Sequence, residues 1–224
     1  MVRRAGITVI LVFMVLLVGC QSTEIEFETD AERFKYEYES VNGKLDYSWQ
    51  KARNVSIDDD NPIVYASYSD LIDMIDSGET FAVYFGYNKC PWCRGAIEAI
   101  LESAKEYGVQ TLYYVDVYSS RDKYEVSNGQ AVLKSEGEEG YRELIVLLAP
   151  VLDDYILEDD DGSEVDTGEK RIYAPNVIVV KNGEAVGIAD DSELFTDPYG
   201  EITDEIYSDM VNIYSEVFAM LTYQ

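Results

Sequence analysis

Histidine is absent from all 224 residues. That absence excludes Ser-His-Asp and Cys-His nucleophile pairs, and it excludes zinc sites built on imidazole. Basic residues are scarce as well: 17 Lys and Arg stand against 44 Asp and Glu, for a net charge of −27. A surface of that sign repels the phosphate backbone of nucleic acid and anionic headgroups, so no nucleic-acid partner is expected. The acidity itself reads as solvation of the surface. Cysteine is limited to Cys20, Cys90 and Cys93. Long apolar runs are limited to residues 7–18, short of the roughly 20 residues a membrane span needs. What remains is ordinary globular material, 47% hydrophobic, which argues against wholesale disorder.

The apolar run follows Arg3 and Arg4 and stops at Gly19-Cys20, where the chain turns polar with Gln21 and Ser22. Those are the length and flanks of a secretory h-region. Leu17-Val18-Gly19-Cys20 resembles the signal box of bacterial lipoproteins. The resemblance implies cleavage after residue 19, lipidation of Cys20 and a membrane tether, since acyl chains supply about 0.8 kcal/mol per buried methylene. It also implies an extracytoplasmic compartment, where disulfides persist. With Cys20 acylated, Cys90 and Cys93 are the only thiols left.

The chain divides into a signal peptide (1–19), a tether with an accessory segment (20–60) and a folded domain (61–224). Asp58, Asp59, Asp60, Asn61 and Pro62 form a strong loop signal at the boundary. Residues 24–38 are charged and aromatic, Asn42-Gly43 breaks them off, and composition leaves open whether residues 24–57 fold back on the domain. From residue 63 the pattern is regular. Residues 63–67 read as a strand. Ser69 is a candidate cap for a helix ended by Gly78. Residues 81–85 are an apolar run of strand length. A helix follows the CxxC motif to about residue 107, with Gly108 as its stop, and residues 111–117 form a third strand. An insert covers about residues 119–170. It contains a hairpin around Asn128-Gly129, a helical stretch over 141–157 that Pro150 should kink or split, and an acidic loop or second hairpin at Asp161-Gly162. Residues 176–180 and 184–188 flank Asn182-Gly183 as a further hairpin, and an amphipathic helix ends the chain. Alternating strands and helices predict a layered α/β domain.

Cys90-Pro91-Trp92-Cys93 carries the chemistry. A CxxC pair can bind metal, form a structural disulfide or cycle between dithiol and disulfide. Zinc takes four ligands, and two cysteines without histidine do not supply them, so no metal and no cofactor are expected. A disulfide closing so small a loop restricts the unfolded chain little. Redox cycling suits a CxxC that opens a helix directly after a buried strand. Free amides and the dipole at a helix N-terminus stabilise a thiolate, lowering a cysteine pKa from about 8.5 to about 3.5–7.5. Cys90 is then the exposed attacking thiol and Cys93, one turn on and more buried, the resolving thiol. Pro91 suits the first helical position, where no amide hydrogen is needed. Lys89 and Arg94 bracket the motif, either as cations that favour the thiolate or as ordinary surface charges. Asp159, Asp161 and Gly162 imitate part of a calcium loop, but Leu157 and Gly168 stand where its acidic ends belong.

Residues 81–94 (FAVYFGYNKCPWCR) resemble the strand, loop and active-site helix of the thioredoxin superfamily. They are most similar to the branch of bacteriocin-transport accessory-type proteins and related bacterial lipoproteins. Residues 172–184 (IYAPNVIVVKNGE) match the family's second signature, which makes Pro175 the cis-proline and Ala174 its substrate-facing neighbour. The resemblance spans about residues 62–222. It implies a thioredoxin-like three-layer α/β/α fold with a helical insert between the third and fourth strands. It implies a thiol-disulfide oxidoreductase with Cys90, Cys93 and Pro175 at its centre, supported by Lys89, Pro91, Trp92 and Ala174. Its partners would be protein thiols or disulfides and a redox partner. Three departures set this chain apart. Tyr84 stands where thioredoxin has a buried Asp, Lys89 where it has an aromatic residue, and the Pro-Trp dipeptide is nearer to glutaredoxin's Pro-Tyr. These imply a potential near the glutaredoxin range of about −200 to −230 mV. The competing expectation is a non-catalytic accessory or binding lipoprotein that keeps the fold for docking, for instance beside an exporter.

Overall fold

A computed structural model describes residues 25–194 and 196–222. The signal peptide and Cys20 lie outside the described residues. Among the described residues, five helices and nine strands follow one another as α1 (Asp30–Glu39), β1 (Ile63–Tyr65), α2 (Tyr68–Asp76), β2 (Phe81–Gly86), α3 (Pro91–Glu106), β3 (Leu112–Asp116), β4 (Lys123–Ser127), β5 (Gln130–Ser135), α4 (Glu139–Leu148), β6 (Asp154–Glu158), β7 (Glu164–Lys170), β8 (Asn176–Lys181), β9 (Glu184–Ile188) and α5 (Asp204–Ala219).

The apolar run at residues 81–86 becomes β2, buried along its whole length at the centre of a mixed sheet ordered β1-β3-β2-β8-β9. β3 runs parallel to β1 and β2, with Tyr84 beside Tyr114. β8 runs antiparallel to β2, with Phe85 beside Asn176. Successive side chains of a strand point to opposite faces. Ala82 and Tyr84 therefore join one apolar cluster with α1, α3 and α5, while Phe81, Val83 and Phe85 join another with α2 and α4. The sheet is thus covered by helices on both faces, which is why β2 reads as a continuous apolar run rather than an alternating one.

The segment 20–60, expected as tether and accessory, contributes to the core. α1 is capped by Thr29, whose side chain accepts from the Glu32 amide. Its two apolar residues four apart, Phe34 and Tyr38, are fully buried against the sheet. Val55 and Ile57 follow them into the same cluster. The question left open by composition is answered: Phe34, Tyr38, Val55 and Ile57 pack in the same apolar cluster as the sheet.

Two local expectations change. α2 is capped by Ser67 in a reciprocal box with Asp70, and Ser69 lies inside the helix. The helix expected over 141–157 stops at Leu148: Ala149 keeps helical geometry as its C-cap, and Pro150 has no amide with which to continue the ladder. Beyond it, burial alternates residue by residue through β6, which pairs with β7. The insert is therefore two hairpins around one helix, not a helical unit. The Asn-Gly turns form as expected: Asn182 and Gly183 hold φ of 51° and 80° between β8 and β9, the left-handed pair that a tight hairpin turn requires.

Candidate active site

β2 delivers the chain to the edge of the core at Gly86, and after four residues α3 begins at Pro91. Cys90 is the N-cap of α3, with extended geometry, and Pro91 opens the first turn. The Cys93 amide donates to Cys90 Sγ at 3.2 Å. One orphan donor of the helix end is thus spent on the sulfur. The Arg94 amide donates to the Cys90 carbonyl at 3.0 Å, starting the helical ladder. The Ala174–Pro175 peptide is cis, as the resemblance implies, and the Ala174 carbonyl accepts from Cys90 Sγ at 3.4 Å. Both cysteines are free thiols.

Cys90 was expected to be exposed, and it is not: only 1% of it is accessible. The Ala174 carbonyl and the Tyr87 side chain close over the sulfur. Burial alone would push the Cys90 thiol up. Hydrogen bonds with the Cys93 thiol, the Cys93 and Trp92 amides and the Tyr87 hydroxyl outweigh it, and the net displacement is downward. For Cys93, wholly buried, desolvation raises the pKa well above that of an ordinary thiol, and its neighbour Cys90 raises it further. The pair is therefore polarised, with the anion favoured on Cys90.

The two basic residues beside the motif part company. Lys89 sits with its Nζ 4.8 Å from the centre of the Tyr47 ring. Arg94 is 1% accessible and turns away from solvent into the base of the N-terminal segment. It donates to the carbonyls of Arg53 (2.6 Å), Tyr38 (2.8 Å) and Asn88 (3.0 Å) and to Asn42 Oδ1 (2.6 Å). Desolvation lowers its pKa, although it stays charged. Arg94 thus clamps residues 38–53 onto the active-site helix, a role its position beside Cys93 did not suggest.

Behind the thiols lies Tyr84, at the position where the resemblance would place thioredoxin's Asp. Its hydroxyl lies 2.8 Å from that of Tyr38, both side chains being fully buried. On the other side, Tyr214 of α5 donates to Asp191 at 2.8 Å, and burial raises the Asp191 carboxyl above its usual range. Sequence reasoning missed Tyr38, Tyr87, Tyr214 and Asp191. Of these, Tyr38 left a signal in its spacing of four from Phe34, and Tyr214 one in its place on the apolar face of the C-terminal helix, four from Met210 and three from Val217.

A cleft of about 410 Å³ opens next to the dithiol. Trp92, Tyr173, Ala174 and Pro175 line it, and Asp190 and Asp191 edge it. Asn176 holds the rim in place, accepting from the Tyr173 amide at 2.7 Å. The larger cavity, about 720 Å³ beside Asp58, Glu98 and Lys105, includes neither thiol nor Pro175. Among the described residues, no group of three or more His, Cys, Asp or Glu side chains is placed to hold a metal ion. Comparison with protein-family models, with curated proteins and with solved structures finds no match for the chain.

Proposed function

We propose that this protein is a thiol-disulfide oxidoreductase of thioredoxin-like fold, held at the extracytoplasmic face of a membrane by lipid on Cys20. The observation that carries the reading is the polarised pair. Cys90 is displaced toward thiolate at the N-terminus of α3 and lies against Ala174, while Cys93 is buried and displaced toward thiol. The sheet order, with β8 antiparallel beside β2, supports the thioredoxin-like assignment, as does the placement of Ala174 and Pro175 across from the CxxC motif.

In this reading the cleft beside Trp92 and Pro175 receives an extended substrate segment. Cys90 thiolate attacks one substrate sulfur, forming a mixed disulfide and releasing the other sulfur as a thiolate. Cys93 then attacks Cys90 Sγ and releases the second substrate sulfur. The substrate gains two electrons and the protein is left with a Cys90–Cys93 disulfide. Run in reverse, the same steps pass that disulfide to a substrate dithiol.

The near-complete burial of Cys90 favours a second reading, a docking module whose thiols are not presented. The two separate in one experiment. A Cys93→Ala variant expressed in its membrane should accumulate mixed disulfides through Cys90, visible as adducts that reductant dissolves. Absence of such adducts under both oxidising and reducing growth would refute the oxidoreductase reading and leave the docking one.

A further inference from the structure

We infer that the hydroxyls of Tyr84 and Tyr38 form a hydrogen-bond chain aimed at Cys93, and that Tyr38 is a positioning residue lent to the redox centre by the N-terminal helix. The inference rests on the oxidoreductase reading and deepens it.

The Tyr84 hydroxyl is near enough to the Cys93 thiol for each to perturb the other's titration, and it lies 2.8 Å from the Tyr38 hydroxyl on its other side. Both rings are fully buried in the cluster between the sheet and α1, α3 and α5. Phenylalanine would fill the same volume without the cost of burying an oxygen. The space for that oxygen is also reserved: a Cβ added at Gly86 would lie 2.3 Å from the Tyr84 hydroxyl. Tyr38 is placed by α1, and its carbonyl is gripped by Arg94, the residue that follows Cys93. The hydroxyl chain and the Arg94 clamp thus tie the same two elements together.

Each phenol has one hydrogen to give. When Cys93 is a thiolate, Tyr84 donates to the sulfur and its oxygen accepts from Tyr38. Each link polarises the next. Burial, first among the causes, holds both phenols well above their ordinary range, so they act as donors and not as bases. The other titratable groups facing Cys93 are Cys90 and Tyr87 at the start of α3, Tyr114 on β3 and Tyr214 on α5, with Arg94 as the cation on its own helix. Tyrosine donors can stabilise the resolving thiolate without adding a buried negative charge, which a carboxylate at position 84 would do.

The test uses the full chain carrying Cys20→Ser, so that Cys90 and Cys93 are the only thiols, and oxidised glutathione as substrate. In the first step Cys90 thiolate displaces one glutathione thiolate. In the second, Cys93 loses its proton, attacks Cys90 Sγ and expels the other glutathione, which takes up a proton. Acid quenching and mass spectrometry resolve the glutathionylated intermediate from the disulfide. Tyr84→Phe should slow the second step about 10- to 100-fold at neutral pH, as expected for losing a hydrogen bond to a charged group, and Tyr38→Phe about 3-fold. Both should move the pH midpoint of that step upward and leave the first step within about twofold. A Tyr38→Phe variant with the wild-type second-step rate and midpoint would overturn the inference while leaving the oxidoreductase reading intact. No exchange by the unsubstituted Cys90–Cys93 pair would overturn both. Should a variant fold poorly, the unsubstituted protein decides: the hydroxyl-bearing carbon resonances of Tyr84 and Tyr38 should shift between dithiol and disulfide, and their invariance overturns the chain.

Discussion

Replacing Arg94 with methionine isolates the clamp between the N-terminal segment and the active-site helix. Methionine keeps most of the apolar stem that packs along α3 and deletes the guanidinium. Four acceptors then lose their donor: the carbonyls of Arg53, Tyr38 and Asn88 and the Asn42 side-chain oxygen. Two of the four keep a second partner: Asn42 Oδ1 retains the Val55 amide at 2.9 Å and the Tyr38 carbonyl the Val41 amide at 3.2 Å. Net values near 1 kcal/mol per neutral acceptor, rising when the donor is charged, are offset by relief of the buried cation's desolvation. The balance is a loss of about 3–4 kcal/mol, large against the 5–15 kcal/mol typical of a domain. With a urea m-value of about 2 kcal/mol/M, the unfolding midpoint should fall by about 1.5–2 M. Proteolysis of residues 25–60 should accelerate in parallel, because α1 loses its tie. A midpoint shift below about 0.5 M, or a segment no more sensitive to protease than before, would refute the clamp.

Two further predictions concern charge and potential. Asp191 has its pKa raised by burial, so the folded state binds its proton more tightly than the unfolded chain does. Its favourable contribution is present below the unfolded value of about 3.9 and is lost as pH rises through the folded value. Asp191→Asn, which retains an oxygen for Tyr214, should therefore match or exceed wild-type stability at pH 7, with the difference closing toward pH 4 in urea titrations. A marked loss at pH 7 would mean that the carboxylate is favourably held after all. Equilibration of the dithiol with glutathione buffers should give a potential of about −200 to −230 mV, and a value near −270 mV would contradict the expectation drawn from the Pro-Trp dipeptide.

Much of the frame was legible because it is local. Asn128-Gly129 and Asn182-Gly183 announce their hairpins through backbone preferences that need no tertiary context. The buried run at 81–86 and the CxxC motif after it identify the central strand and the helix that follows. What failed to show depends on residues distant in sequence. Cys90 looked exposed because nothing near it predicts that Ala174, 84 positions on, folds across its sulfur. Arg94 looked like a surface cation because its acceptors lie in a segment with few apolar residues, where only Phe34 and Tyr38 hint at burial. The false extension of α4 arose from Leu152 and Tyr155, which continue a helical spacing past Pro150. Leu152 is indeed buried, but from the irregular segment leading into β6.

The two sulfurs divide the labour, Cys90 attacking and Cys93 resolving. Ultraviolet titration of thiolate absorbance in the reduced protein, with Cys20→Ser, measures it directly. The account predicts two separated transitions: one below the ordinary thiol value of about 8.5 that disappears in Cys90→Ser, and one well above it that disappears in Cys93→Ser. A single shared transition at or above about 8.5, or the lower transition assigned to Cys93, would contradict the claim that Cys90 is the attacking thiol.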